Sequence, residues 1–153
     1  MFHNILVVCI GNICRSPTAE RLLQKKLPRH CVFSAGLKAL AGEDADFQAI
    51  KTALKHGTVI AGHTARQLTD EMCRQADLIL VMEPEHIEMV AAVDPSARSK
   101  TILFAQWLPK QSVPDPYKQS PEMFEAVYRQ LDEAADTWAQ KLSGNVTVGQ
   151  LKN

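Results

Sequence analysis

Four short strand-like runs recur along the chain, each separated from the next by residues with helical spacing. They are Ile5-Leu-Val-Val-Cys9, Cys31-Val-Phe-Ser34, Leu78-Ile-Leu-Val-Met82 and Thr101-Ile-Leu-Phe104. Runs of this kind are what a strand covered on both faces requires. Between and after them the pattern is helical. Ser16 and Pro17 open a helix with an apolar stripe of Leu22, Leu23 and Leu27. A helix from about Asp44 to His56 is expected to bury Phe47, Ile50 and Leu54, with Gly57 as its stop. Thr69 caps a short helix through Arg74, and Pro84 starts one carrying Ile87 and Val90 that ends before Asp94-Pro95. The last helix starts at Ser120 and Pro121, repeats Phe124, Val127, Leu131, Ala135, Trp138 and Leu142, and ends at Gly144.

Strands that alternate with helices predict an α/β fold with a central four-stranded parallel sheet and helices on both faces. No repeat or Gly/Ser/Pro-rich linker divides the chain, so residues 1–153 read as one domain with a frayed tail over about 145–153. In such a sheet, ligands bind beyond the carboxyl ends of the strands. The turn after the first strand is therefore the place to look for chemistry.

That turn is Cys9-Ile-Gly-Asn-Ile-Cys-Arg-Ser-Pro17. A loop running from a strand end to a helix start turns successive backbone N–H groups inward, and the helix N-terminus adds positive potential. Ile10, Gly11, Asn12, Ile13, Cys14 and Ser16 then form a cradle for a phosphate group. Gly11 removes the Cβ where the backbone must bend or approach a ligand. Arg15 offers a planar fork for two phosphoryl oxygens, which a lysine lacks. The same field favours thiolate at Cys9, to which the Ser16 hydroxyl donates, so Cys9 is a nucleophile without an adjacent histidine base. The Gly-x4-Gly-Lys-Ser/Thr pattern of nucleotide-binding loops is absent. Cys9 and Cys14 lack a second Cys/His pair at zinc-ligand spacing, so no metal is expected, and no cofactor motif is visible.

A leaving alkoxide or phenolate needs a proton. Asp115, in Val113-Pro-Asp-Pro-Tyr117, is the candidate acid, and Tyr117 and Leu40 are candidate walls of a slot for a substrate ring. Cys14 is either a packing residue or a disulfide partner that protects Cys9 from irreversible oxidation. Cys31 and Cys73 sit in strand and helix patterns and read as structural. Seventeen basic and seventeen acidic side chains cancel, so no net field recruits nucleic acid or an anionic membrane surface. No apolar run reaches the ~20 residues of a membrane span, and the first strand lacks the basic start of a signal peptide. With only four cysteines, a cytoplasmic location is expected.

Val8-Cys-Ile-Gly-Asn-Ile-Cys-Arg-Ser-Pro17, Ser34-Ala-Gly36 and Asp115-Pro-Tyr117 together resemble the low-molecular-weight protein tyrosine phosphatases, as does His63 with Ala65-Arg-Gln67. The resemblance runs from about Ile5 to Leu142. It implies Cys9 as nucleophile, Arg15 as phosphate clamp and Asp115 as general acid, without a metal. It also implies that Asn12 holds the loop in a strained shape, with His63 as its hydrogen-bond partner. Ala35-Gly-Leu-Lys-Ala-Leu40 and Phe104-Ala-Gln-Trp107 resemble the bacterial branch tied to capsule and exopolysaccharide export. That branch implies an autophosphorylating tyrosine kinase as phosphotyrosine partner. Two other functions remain on the same scaffold: thiol-dependent arsenate reduction and a phosphocarrier or anion-binding module. The first needs relay cysteines, and only Cys73 lies near the third strand. The second gains nothing from Asp115.

Overall fold

The structure, a computed structural model, describes residues 2–143 together with Gly149 and Leu151. Four strands form one parallel sheet: β1 (Asn4–Cys9), β2 (Cys31–Gly36), β3 (Leu78–Val81) and β4 (Thr101–Leu103). Their order is β2-β1-β3-β4. The chain leaves β1 toward one edge and resumes at β3 on its other side. The topological switch point therefore lies between β1 and β3, with Cys9 at the carboxyl end of β1.

Alternate residues of each strand feed two cores, as the two-residue period of a strand dictates. Ile5, Val7 and Cys9 of β1, with Leu78, Leu80 and Met82, pack on one face under α1 (Arg15–Lys26) and α5 (Pro121–Lys141). Leu6, Val8, Ile79 and Val81 pack on the other, under α3 (Asp70–Gln75) and α4 (Glu85–Val93). The expected α/β fold, with a four-stranded parallel sheet and helices on both faces, is thus the observed one. Trp138 of α5 donates its ring N–H to the Phe104 carbonyl at 2.7 Å and meets Trp107 edge-on, which ties α5 to the end of β4. A 3-10 segment over Pro95–Lys100, not anticipated from sequence, joins α4 to β4 and is capped by Asp94.

One helix is turned differently from its sequence pattern. α2 runs Phe47–Lys55 and starts three residues later than expected, because the Asp46 carboxylate accepts from the N–H groups of Gln48 and Ala49. It buries Ala49, Thr52 and Ala53, whereas Phe47 is 78% and Leu54 61% exposed. At 3.6 residues per turn, positions 47 and 54 fall on one side of the helix and 49, 52 and 53 on the other. The helix lies against α5, where Tyr128 already fills space: its hydroxyl bonds Thr58 at 2.7 Å and its ring stacks on His56. Small side chains fit against that bulk, so the larger ones face outward.

Cys73 is fully buried, but Cys31 is exposed at the first position of β2 and lies outside both cores. The frayed tail expected over residues 145–153, and Gly144 as helix stop, fall outside the described residues except at Gly149 and Leu151. Leu151 is buried in the main core.

Candidate active site

The loop between β1 and α1 turns its carbonyls outward. The carbonyl of Cys9 accepts from Leu37 N–H, that of Ile10 from Lys38, that of Gly11 from Leu40 and that of Ile13 from Asp46. The Cys14 carbonyl accepts from the Thr18 N–H and hydroxyl, and His63 Nε2 donates to the Asn12 carbonyl at 2.7 Å. Within a trans peptide the C=O and the following N–H point in opposite directions, so the N–H groups of Ile10 to Arg15 face the interior of the loop. Among the described residues, no acceptor meets the N–H groups of Gly11, Asn12, Ile13, Cys14 or Arg15. Five donors converging on one space, at a helix N-terminus, are a cradle for an anion.

Asn12 supplies the bend. Its φ of 59° is left-handed, a conformation that costs a non-glycine residue about 1–2 kcal/mol. Of the two uses expected of Gly11, the bend is not one it serves. Its φ is not positive, and a Cβ there would touch only Ile13 and Leu40 at ordinary distances. Asn12 is held by its whole side chain. Nδ2 donates to Ser16 Oγ at 2.7 Å and to Ser34 Oγ at 3.0 Å, while Oδ1 accepts from the Arg66 N–H.

These bonds orient the hydroxyls. Since Asn12 Nδ2 can only donate, Ser16 Oγ accepts there and its own proton is free for Cys9 Sγ, 3.0 Å away. By the same logic the Ser34 hydroxyl donates onward to Glu20 Oε1 at 2.7 Å. The segment around His63 also positions the slot: Gln67 donates to the Leu37 carbonyl and accepts from the Ala39 N–H. Gly36 lets the two loops touch, for a Cβ there would lie 2.5 Å from the Ile10 carbonyl oxygen.

Arg15 is 2% exposed and spans the pocket floor. Its NH1 donates to Glu83 Oε2 at 2.9 Å and to the Val113 carbonyl at 2.8 Å, and its NH2 lies 3.8 Å from Asp115 Oδ2. Asp115 Oδ1 accepts from the Tyr117 N–H at 3.0 Å, leaving Oδ2 toward the pocket. The result is a cavity of about 190 Å³ lined by Cys9, Ile10, Gly11, Ile13, Cys14, Arg15, Lys38, Leu40, Asp115 and Tyr117. Of the residues expected at the site, Asn12, Ser16 and His63 stand behind this lining and hold it. Burial, then Asp46, the neighbouring Cys9 and Asp115, push the Cys14 thiol far up, against a smaller effect of Arg15. Cys14 therefore stays protonated beside Cys9.

A family model for the low molecular weight phosphotyrosine protein phosphatases matches residues 4–148. The chain belongs to this family. It is 54% identical to the probable low molecular weight protein-tyrosine-phosphatase AmsI of Erwinia amylovora, over 94% of this chain and 99% of that one. It is 52% identical to the low molecular weight protein-tyrosine-phosphatase Wzb of Escherichia coli K12, over 94% and 97%. Vibrio vulnificus Wzb, solved in complex with benzylphosphonate, superposes with a TM-score of 0.91 at 50% identity, over 93% of this chain and all of that one.

Membership of the phosphatase family accords with the geometry, but two participants were not read from sequence. Glu83 and His86 meet at the carboxyl end of β3, beside Arg15. In sequence, Glu83-Pro-Glu-His86 reads as an ordinary helix start. The available signal was topological: β3 pairs with β1, so residues just past its end border the same switch point.

Proposed function

We propose that the chain is a protein tyrosine phosphatase that hydrolyses phosphotyrosine through a cysteinyl-phosphate at Cys9. The observation that carries this is the loop itself, with its carbonyls bonded outward and its N–H groups turned in around a cysteine that accepts a hydroxyl proton. In the first step the Cys9 thiolate forms a bond to phosphorus as the P–O bond to the tyrosine ring breaks. Asp115, as the acid, gives its proton to the departing oxygen, and the inward N–H groups with Arg15 hold the transferring phosphoryl oxygens. In the second step Asp115, now a carboxylate, takes a proton from water as that water attacks phosphorus. The P–S bond breaks, and thiolate and inorganic phosphate result. Leu40 and Tyr117 line the same cavity as Cys9, and in this reading they wall a slot for the substrate ring that a phosphoserine side chain is too short to reach down.

This predicts phosphate release from a phosphotyrosine peptide, undiminished by a chelator, and little from the phosphoserine counterpart. Comparable turnover of the two peptides would overturn the slot, and no turnover by folded protein would overturn the whole reading. Arsenate reduction is disfavoured because Cys73 is buried on the opposite face of the sheet from Cys9 and offers no relay thiol.

The substrate protein we infer is an autophosphorylating bacterial tyrosine kinase of polysaccharide export, met in the cytoplasm. Support comes from the branch resemblance of Ala35–Leu40 and Phe104–Trp107, and from the similarity to AmsI and Wzb. No helix among the described residues is long and apolar enough to cross a membrane. A phosphorylated kinase of this class that the protein leaves untouched, while it hydrolyses generic phosphotyrosine peptides, would rule that partner out.

For Cys14 we propose a packing role at rest and a disulfide with Cys9 under peroxide. Cys9 thiolate attacks a peroxide oxygen, the O–O bond breaks and hydroxide leaves, giving the sulfenic acid; the Cys14 sulfur then attacks the Cys9 sulfur, and the sulfenic oxygen departs as water with the Cys14 proton. Mass spectrometry after peroxide treatment decides: only sulfinic and sulfonic Cys9, without a Cys9–Cys14 link, removes Cys14 from this role.

A further inference from the structure

His86 is buried at the first turn of α4, 2% exposed, and the chemistry derived above makes no use of it. Its Nε2 lies 3.1 Å from Glu83 Oε2, the same oxygen that accepts Arg15 NH1 at 2.9 Å. Its Nδ1 is buried with no hydrogen-bond partner among the described residues. These two facts fix its state. Nε2 must carry the proton to donate to a carboxylate, and a second proton on Nδ1 would be buried unmet. Burial, followed by the nearby Arg15 charge, also pushes the imidazole's affinity for protons down, against Glu83 and Glu85. The ring is neutral, with a single N–H aimed at Glu83.

The Glu83–Arg15 contact is one-pronged. A carboxylate facing a guanidinium prefers two parallel bonds, and Glu83 is 28% exposed in its side chain, free enough to turn. A second prong would engage NH2, the nitrogen that faces Asp115 and the pocket. His86 Nε2 and Arg15 NH1 meet the same Oε2 from two sides, so the carboxylate's orientation is set between them while it bonds NH1 alone.

We propose that His86 is a positioning residue for Arg15: acting through Glu83, it keeps the guanidinium's second prong open for phosphoryl oxygens. The inference rests on the reading of Arg15 as the phosphate clamp. Gln carries an amide N–H near the place of the imidazole Nε2, Asn carries one near Nδ1, and Leu carries none.

The test measures kcat and KM on an aryl phosphate for His86→Gln, His86→Asn and His86→Leu. It adds inorganic phosphate affinity by calorimetry with each placed in the Cys9→Ser protein. Expected are losses of about 10- to 100-fold in kcat/KM for His86→Leu and His86→Asn, the scale of a slightly misplaced catalytic group. Phosphate affinity should weaken in the same order, and His86→Gln should restore both to within about threefold. If His86→Leu fails to fold, the Asn and Gln pair decides alone. Equal activity and affinity in that pair, or a loss of thermal stability with kcat/KM intact, overturns the proposal. Arg15→Lys separates the underlying reading. If it binds phosphate and turns over like wild type, the clamp itself fails. If it is crippled while the His86 variants are not, only the role of His86 fails.

Discussion

Cys9→Ser is expected to bring phosphate release to the assay floor, a fall of roughly 10^5-fold or more, while inorganic phosphate still binds. That loss lies well inside the accelerations of roughly 10^6- to 10^17-fold that enzymes give. The asymmetry follows from which atoms do what. Bond formation to phosphorus needs a nucleophile that is ionised before attack, and a serine hydroxyl in the same place has no base beside it to take its proton. Ser16 is not such a base: it already accepts from Asn12, so its own proton points toward position 9. The anion cradle is untouched, because its N–H groups are turned inward by carbonyls bonded to Lys38, Leu40, Asp46 and His63, none of which involves the Cys9 side chain. Phosphate titration and steady-state turnover on the same preparation check both halves. Residual turnover within about tenfold of wild type would place the nucleophile elsewhere, and lost phosphate affinity would mean that the thiolate, not the loop, organises the anion site.

How much of this was legible in the sequence depends on where the deciding contacts lie. The strands were legible because burial on both faces leaves an unbroken apolar run such as Ile5–Val8. The anion loop was legible because its chemistry is contiguous, from Cys9 to Ser16. The orientation of α2 was not. Its periodicity singles out Phe47 and Leu54, but the neighbouring surface, crowded by Tyr128 and His56, takes only Ala49, Thr52 and Ala53. The strained bend at Asn12 entered only through the family resemblance, since the four bonds from Ser16, Ser34, His63 and Arg66 that stabilise it include two from a segment over fifty residues away. Glu83 and His86 were missed for the same reason. Their meaning depends on β3 lying beside β1, which no local pattern records.

Asp115→Asn should divide substrates by the acidity of their leaving group. General acid catalysis is worth about 10^2- to 10^4-fold, and only where the departing oxygen needs a proton in the transition state. For a tyrosine-like phenol the fall in kcat should reach that range. For a strongly acidic phenol, which leaves well as the anion, the first step should change far less. The variant isolates the proton because little else depends on the carboxylate. Asn retains an oxygen for the Tyr117 N–H that now bonds Oδ1. The loop is held independently: Val113 donates to the Met82 carbonyl and accepts from Arg15, and Gln130 donates to the Ser112 carbonyl. Pro114 and Pro116 stiffen either side. Rates for a series of aryl phosphates, plotted against leaving-group acidity, should therefore run much steeper in the variant than in wild type. Parallel lines, with the same loss for every phenol, would remove Asp115 from the acid role. Its remaining contribution would then be the carboxylate 3.8 Å from Arg15 NH2, an electrostatic partner of the clamp rather than a donor to the substrate.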